Sequence, residues 1–328
     1  MIVGIDHYSH ASMKLRSAVA DARSMARMLV NHADGTANYD CVLWADRTEH
    51  DQLITRAALR GALQQLFANF RGDLVFYFSG HGVITATGGW LVTYDGIRND
   101  WGVSMSEVSE LALQSQANDI LILLDCCHGG DLGNSVLLNG GGGGRETALM
   151  REDMTVIAAS LPQESAIEAP DHGMFTAAVL NALEGGSADP MGWVTAPSIY
   201  TYVERRFGGW PQQPVYKSHA TKVTVVRQCP PQIDRVKLGR LTELFPKRDS
   251  LYRMHPDYEP EDEHGKVHKP VHRDKVEIAQ LFKLYRDAGL LKPTIAGEQL
   301  YWTARRSHTV ELTLRGQEYW VLVKDNKV

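Results

Sequence analysis

Two unbroken apolar runs, LVFYF at 74–78 and ILILL at 120–124, limit the folds open to this chain. Neither run alternates with polar residues, so each predicts a strand that is covered on both faces, as in the centre of a parallel sheet. Apolar residues at helical spacing separate such runs, first over 15–30 and again over 55–70. Strands that alternate with helices predict an α/β fold with a mostly parallel sheet and helices on both of its faces.

The other elements of the first 230 residues continue this alternation. Further strands are predicted at 2–5, 41–45, 155–160 and 223–226, a short strand or hairpin arm at 90–94, and further helices at 104–115 and 175–183. The run NGGGGGRET at 139–147 predicts a surface loop, because glycine loses the most backbone entropy when it becomes ordered.

The composition is that of an ordinary globular protein. Hydrophobic residues make up 44% of the chain and charged residues 22%, which argues against a disordered or coiled-coil protein. No apolar run is long enough to span a membrane, and the first residues, MIVGIDHY, lack the basic and apolar regions of a signal peptide. Four cysteines are too few for a disulfide framework, so we expect a cytoplasmic protein with reduced thiols.

The pattern of polar and apolar residues and the net charge both change after residue 228. Residues 234–328 carry 18 lysines and arginines against 15 acidic residues, whereas the rest of the chain is clearly acidic. We therefore predict one domain at 1–228, a polar connector at 229–273 and a small α+β module at 274–328. Neither an acidic body nor a weakly basic tail indicates a nucleic-acid surface, so nucleic acid is not an expected partner.

The C-terminal module has its own pattern. A strongly amphipathic helix is predicted over 274–291, a second helix around 300–306, and a short ribbon over 311–323 that turns at Gly316. This order of helix, helix and ribbon loosely resembles the end of a winged-helix domain. We expect the module to recruit a protein; DNA binding, supported only by Arg305 and Arg306 beside an aromatic side chain, is the alternative.

Two polar motifs follow the two unbroken strands. Ser-Gly-His-Gly begins at Ser79 directly after the first strand, and Asp-Cys-Cys-His-Gly-Gly begins at Asp125 directly after the second. About 40 residues separate the motifs, enough for a right-handed crossover that makes the strands parallel neighbours. The carboxyl ends of parallel strands meet at the edge where open α/β sheets hold ligands. A histidine and a cysteine brought together there are suited to nucleophilic catalysis.

These motifs carry a family resemblance. Residues 1–228 resemble the caspase-like cysteine peptidases, in particular their prokaryotic metacaspase and paracaspase relatives. The helix LRSAVADARSMARML, the segment AASLPQESAIE and the following GMFTAAVLNAL also resemble segments of that family, in the same order. The resemblance implies the caspase-like fold and a cysteine endopeptidase with a Cys-His dyad.

The resemblance assigns roles by position. His81 is implied as base or leaving-group acid and Cys127 as nucleophile, because the family cysteine precedes His-x-Gly and lies two residues after the acid. Cys126 is the departure, since metacaspases commonly have serine at that position. The backbone N–H groups of Gly82 and Cys127 are suited to an oxyanion hole. His128 is expected to be a loop residue rather than a second base.

The resemblance also implies specificity for a basic residue. Asp125 matches an acid that lines the first substrate pocket in the arginine- or lysine-cleaving branch of the family, and Glu168 matches a second acid of that pocket. Paired carboxylates favour a guanidinium or ammonium group, so cleavage after arginine or lysine is expected. The structural alternatives are a helix or loop cap for Asp125 and a surface carboxylate for Glu168. Arg145 and Arg151, beside the glycine run, are candidate sites of activating self-cleavage.

Other interpretations remain open at this stage. The chain could be a catalytically silent scaffold or sensor whose C-terminal module binds a protein or DNA. A metal site at His81, Cys126, Cys127 and His128 has poor geometry, because paired Cys-x-x-Cys spacing is absent. No cofactor is expected; calcium activation, which some metacaspases need, stays open without an assignable site. The expected partners are a protein substrate and an activating or recruiting protein, and the resemblance suggests a zymogen of a prokaryotic defence or cell-death system.

Overall fold

A computed structural model of the chain describes residues 1–46, 53–86, 88–126, 150–159, 172–208, 214–261, 266–267 and 271–328. These residues form two compact units. The first comprises Met1–Ala188 and Trp193–Cys229, and the second comprises Asp189–Gly192 and Pro230–Val328. Among the described helices, none is long and apolar enough to cross a membrane.

The first unit alternates strands and helices. Its strands are β1 (Ile2–Gly4), β2 (Leu43–Ala45), β3 (Asp73–Ser79), β4 (Gly82–Thr85), β5 (Gly88–Ile97), β6 (Asp100–Ser104), β7 (Asp119–Asp125), β8 (Met154–Ala158), β9 (Trp193–Thr195), β10 (Val215–His219) and β11 (Val225–Gln228). Its helices are α1 (Ala18–Val30), α2 (Arg56–Asn69), α3 (Met105–Gln114), α4 (Met174–Asn181) and α5 (Ala196–Phe207), and a short π-helix (Ala182–Gly186) continues α4.

A six-stranded sheet in the order β10-β8-β7-β3-β1-β2 forms the centre of this unit. All neighbours pair in parallel except β10, which runs antiparallel to β8 at one edge. The prediction of an α/β fold with a mostly parallel sheet is therefore confirmed. Two smaller antiparallel sheets, β4-β5-β6 and β11-β9, accompany it. The strand predicted at 223–226 thus pairs outside the main sheet, and β10 was not predicted.

Burial on both faces explains the unbroken apolar runs. In β7, Ile120, Ile122 and Leu124 pack into one core, together with residues of α2 and α3. Leu121 and Leu123 pack into a second core on the opposite face, with residues of α1, α4 and α5. Because successive strand residues point to opposite faces, a strand between two cores needs apolar residues at every position.

Side chains at the helix ends define where helices begin. Ser104 is the capping serine of α3, because its hydroxyl accepts a hydrogen bond from the Glu107 N–H at 3.1 Å. Thr55 caps α2 in the same way, at 3.3 Å from the Ala58 nitrogen. A side-chain oxygen at this position satisfies one of the unpaired N–H groups of the first turn.

The second unit combines short helices with a three-stranded antiparallel sheet in the order β12-β14-β13. Its elements are α6 (Arg235–Gly239), α7 (Leu241–Leu244), β12 (Leu251–Arg253), α8 (Arg273–Asp287), β13 (Leu291–Pro293), α9 (Leu300–Arg305), β14 (Thr309–Leu312) and α10 (Leu314–Lys324). Strand β12 lies inside the segment that the sequence predicted as an irregular connector, and it pairs with β14.

The ribbon predicted over 311–323 was wrong in its second half. After β14 the chain forms helix α10, which Thr313 caps by accepting a hydrogen bond from the Gly316 N–H at 3.0 Å. Gly316 is not a turn residue: a Cβ atom at this position would collide with the Leu290 carbonyl oxygen, so glycine lets the helix approach that backbone. The winged-helix interpretation therefore depends on a ribbon that these residues do not form.

Candidate active site

The two polar motifs begin side by side at the carboxyl edge of the main sheet. Strands β3 and β7 pair in parallel along their whole length, and Ser79 is the register partner of Asp125. The Gly80 N–H also donates a hydrogen bond to the Asp125 carbonyl at 3.3 Å. The predicted adjacency of the two strands is confirmed. Of the predicted site residues, His81, Gly82, Asp125 and Arg151 lie in the described part of the chain, whereas Cys127, Arg145 and Glu168 lie outside the described residues.

Three contacts hold His81, one through its backbone and two through its imidazole. Its backbone N–H donates to the Tyr8 hydroxyl at 2.8 Å, and the two rings pack with centroids 4.9 Å apart. Its Nε2 lies 2.7 Å from the carbonyl oxygen of Met13. Because a carbonyl oxygen can only accept, Nε2 carries the proton and Nδ1 has the lone pair. The contact with Met13 therefore selects the tautomer in which Nδ1 can act as a base.

The environment also favours the neutral form of this ring. Burial lowers the pKa of His81, and the hydrogen bond to the Met13 carbonyl opposes that shift only in part. Tyr8 is anchored to the sheet because its hydroxyl donates to the Ile5 carbonyl at 3.1 Å. Gly80 allows this close packing, since a Cβ atom there would lie 2.9 Å from the Tyr8 oxygen.

A second cluster surrounds two carboxylates on the α1 and α4 side of the sheet. Asp125, at the end of β7, accepts hydrogen bonds from both the backbone N–H and the hydroxyl of Thr176. Asp21, on α1, accepts from the Gly173 N–H at 3.2 and 3.3 Å and from the Ser79 hydroxyl at 3.4 Å. The position of a Cβ atom on Gly173 would lie 2.9 Å from Asp125 Oδ2 and 3.2 Å from Asp21 Oδ2. Both carboxylates therefore pack against the Cα of Gly173.

These carboxylates resist ionisation. The pKa of Asp21 is raised to about 7, first by burial and then by the negative charge of Asp125, while a hydrogen bond from His172 opposes the shift. Burial also raises the pKa of Asp125, against the two hydrogen bonds from Thr176. Because the two carboxylates disfavour joint ionisation, a bound cation would stabilise their doubly ionised form.

Family comparison adds to this geometry. Residues 1–225 match the family model Peptidase_C14, the caspase domain. The chain belongs to the caspase-domain family. Members of this family are typically cysteine peptidases, and the mostly parallel sheet flanked by helices is the caspase-like fold. No curated protein matches the sequence.

Solved structures similar to the caspase domain include caspases at low sequence identity. Protein GSU0716 from Geobacter sulfurreducens is 15% identical, with a TM-score of 0.46 over 70% of this chain and 96% of that one. Caspase-1 from Spodoptera frugiperda is 14% identical, with a TM-score of 0.45 over 68% and 89% of the two chains. The structure described as pro-sf-caspase-1 is also 14% identical, with a TM-score of 0.44 over 70% and 89%.

Gly82 and Cys126, one from each motif, are both buried. Gly82 opens β4 and is buried, with Leu91 as its register partner. Cys126 is only 4% exposed and packs into the core that contains Leu124.

Among the described residues of the caspase domain, no group of three or more His, Cys, Asp or Glu side chains could hold a metal ion.

Arg151 lies before β8 and makes three backbone contacts. Its guanidinium donates to the carbonyls of Ser115 at 3.0 Å, Ala117 at 2.6 Å and Glu152 at 3.0 Å. These bonds tie the start of β8 to the loop before β7. Cleavage after Arg151 requires its side chain to leave all three carbonyls and enter a substrate pocket.

Several residues of the caspase domain's site lie outside the motifs that predicted it. Asp21 falls on the apolar stripe of α1, three residues after Ala18 and four before Met25, and all three are buried. A lone acid on a buried helical stripe is a signal that the sequence did contain, because charged residues are rarely buried without a partner. Nothing in the sequence marked His172, or the Met13 carbonyl that holds His81.

Proposed function

We propose that the chain is a cysteine endopeptidase that cleaves protein substrates after arginine or lysine, with Cys127 as nucleophile and His81 as base. One observation carries the proposal. An oriented imidazole, whose neutral form burial favours, follows β3, and two carboxylates, Asp21 buried and Asp125 half-buried, lie beside the ends of β3 and β7, where the cysteine motif begins. A nucleophile and a cation pocket at one edge are what cleavage after a basic residue requires.

The burial of Cys126 supports Cys127 as the nucleophile. Along β7 the even-numbered residues point into the core that also contains Cys126, and a thiol buried there cannot reach a peptide. Cys127 follows it in the chain and holds the family position. In the proposed reaction the Cys127 thiol gives its proton to His81 Nδ1, and the thiolate attacks the carbonyl carbon of the scissile bond. The imidazolium then protonates the leaving amine as the C–N bond breaks.

The specificity proposal rests on charge. Asp21 and Asp125 lie against the same residue, Gly173, and burial makes their joint ionisation unfavourable unless a cation is present. An arginine guanidinium offers several donors in a plane and so can serve both carboxylates at once. An aspartate side chain in the same place would add a third negative charge. Glu168 stays a further candidate acid of this pocket.

Activation is part of the proposal. We propose that a protein partner bound through the C-terminal module, or cleavage in the glycine-rich loop, switches the enzyme on in the cytoplasm, in a prokaryotic defence or cell-death role. Arg145 is the better cleavage candidate, since the Arg151 guanidinium is engaged by three carbonyls. Intact mass and terminal sequencing of the purified protein test this: a chain that stays whole under all activating conditions contradicts loop processing.

The central test is a panel of fluorogenic peptides that differ only in the residue before the scissile bond. Arginine, lysine, citrulline and aspartate are compared in the wild type, Cys127→Ala and Cys126→Ala, with and without calcium. We expect cleavage after arginine that Cys127→Ala abolishes and Cys126→Ala retains. Citrulline is the matched control, because it has nearly the shape of arginine without the charge. Cleavage after aspartate, or equal rates with citrulline, would overturn the specificity proposal.

A catalytically silent caspase-like protein is the second candidate. It is favoured by the hydrogen bonds of Asp125 to the first turn of α4, since a helix cap is a sufficient reason for that acid. In this case no peptide of the panel is cleaved, even after addition of candidate activating partners.

A further inference from the structure

We propose that His172 is a specificity-determining residue, whose hydrogen bond to Asp21 favours the ionised carboxylate and so increases the negative charge of the acidic pocket. The inference rests on the proposed function, because it concerns the same pocket. It adds a residue that neither the motifs nor the predicted acids contain. His172 precedes α4 in the chain and lies next to Gly173, whose N–H also donates to Asp21.

The hydrogen bond between the side chains of His172 and Asp21 is short, and only the imidazole is partly exposed to solvent. His172 Nδ1 lies 2.8 Å from Asp21 Oδ1. The imidazole is 29% exposed, whereas the carboxylate is 1% exposed. When Asp21 is ionised it can only accept, so Nδ1 then donates to it, while the exposed part of the ring lies toward solvent. The histidine thus links a buried acid to the outside of the pocket.

The other groups around Asp21 cannot take over this role. From β7, Asp125 adds negative charge and disfavours ionisation of Asp21. From β3, Ser79 offers only a long hydroxyl contact of 3.4 Å, and Tyr77 donates to Thr176 rather than to Asp21. From α4, Gly173 offers a backbone N–H at 3.2 Å. Among the described residues that act on Asp21, His172 is the one whose side chain makes a short hydrogen bond to it, at 2.8 Å.

A consequence for substrate choice follows. When His172 donates to Asp21, the proton of that acid is lost more readily, and both carboxylates can meet a guanidinium. Without the donor, Asp21 keeps its proton at neutral pH and the pocket loses one negative charge. Gly173 makes the arrangement possible, because a Cβ atom there would lie 2.9 Å from Asp125 Oδ2 and 3.2 Å from Asp21 Oδ2. The backbone that carries His172 can therefore lie directly against both acids.

Two variants of similar size separate the hydrogen bond from mere bulk. His172→Asn places an amide nitrogen near the position of Nδ1 and can keep the bond to Asp21. His172→Gln places its amide near the position of Nε2 and loses that bond. Each variant is assayed in the full-length protein with peptides that carry arginine or citrulline before the scissile bond, from pH 6 to 9. The readout is the ratio of kcat/KM for arginine to kcat/KM for citrulline.

We expect the wild type and His172→Asn to prefer arginine strongly at pH 7. In His172→Gln we expect the ratio to fall about fivefold at pH 7, the effect on the ionised fraction of Asp21 of raising its pKa by one unit from about 7, and to recover by pH 9. Cleavage of the citrulline peptide should change little in either variant. If His172→Gln does not fold, His172→Ala takes its place as the variant without a donor.

The results distinguish a failure of the role of His172 from a failure of the proposed specificity. A ratio that is unchanged in the variants without a donor overturns the role of His172. An equal loss of both activities also overturns it, since that result indicates a structural role. A wild type that does not prefer arginine overturns the proposed specificity itself, whatever the variants do.

Discussion

The effect of replacing Asp21 by asparagine on stability should depend on pH. Relative to the wild type, the variant should be less stable in acid and more stable at alkaline pH. The folded state raises the pKa of Asp21 from 3.8 to about 7, mainly by burial and then by the charge of Asp125. A raised pKa means that the fold prefers the protonated acid. The wild type therefore has this contribution to stability in full below about pH 4 and loses it as the pH rises through about 7. Asparagine never ionises and so does not show that loss.

The magnitude follows from the size of the shift. About three pKa units at 1.36 kcal/mol each amount to about 4 kcal/mol between pH 4 and pH 8. Asparagine also disturbs hydrogen bonds from Gly173 and His172, at a cost of about 1–3 kcal/mol. That cost depends little on pH, so it lowers the free energy of unfolding of the variant by about the same amount at every pH. We expect Asp21→Asn to be less stable than the wild type at pH 4 and more stable at pH 8.

Urea unfolding of wild type and variant at several pH values between 4 and 8.5 measures the difference directly. Asp34→Asn is the control, because hydrogen bonds from Thr36 lower the pKa of this exposed acid and its replacement should not gain stability at high pH. If the difference between Asp21→Asn and wild type is the same at every pH, Asp21 is not held in a site that resists ionisation. The electrostatic basis of the acidic pocket would then be lost.

Three further substitutions test particular contacts. Tyr8→Phe removes the acceptor of the His81 N–H and so loosens the position of the imidazole. We expect kcat on the arginine peptide to fall about tenfold with KM unchanged, because misplacing a reacting group slows the chemical step; a change confined to KM argues against this. Gly173→Ala puts a methyl group against both carboxylates, so the preference for arginine over citrulline should drop in the same peptide assay. Gly316→Ala forces α10 away from the Leu290 carbonyl, and thermal unfolding should show a loss of about 1–3 kcal/mol.

The sequence predicts best where one physical rule decides the outcome. Unbroken apolar runs require cores on both faces, and β3 and β7 are indeed the central strands of the parallel sheet. Strand β10 was missed because its residues are partly exposed at the sheet edge, so VYKSH has no apolar run. The residues after Gly316 were assigned to a ribbon that turns at that glycine. They form α10 instead, in which Gly316, Tyr319 and Trp320 are buried at helical spacing.

The site shows a similar division. Strand order and register brought Ser79, His81 and Asp125 to one edge, which the motif positions already predicted. Asp21 and His172 come from elements far away in the chain, 151 residues apart, and their meeting depends on how α1 and the residues before α4 pack on the sheet. Local pattern cannot supply that information. Only the burial of an acid on the apolar stripe of α1 pointed toward it.

The pleat of β7 separates the two neighbouring residues of the cysteine motif. Odd-numbered positions face α1 and α4, so Asp125 meets Thr176 and Gly173 there. Even-numbered positions face the opposite core, so Cys126 is buried beside Leu124. A shift of one residue in register would exchange these two environments, placing a thiol among the acids and a carboxylate in an apolar core. Because the pairing of β3 with β7 fixes the register, Cys126 stays in the apolar core. With Cys127 proposed as the nucleophile, we expect Cys126→Ser to retain the activity that Cys127→Ser loses.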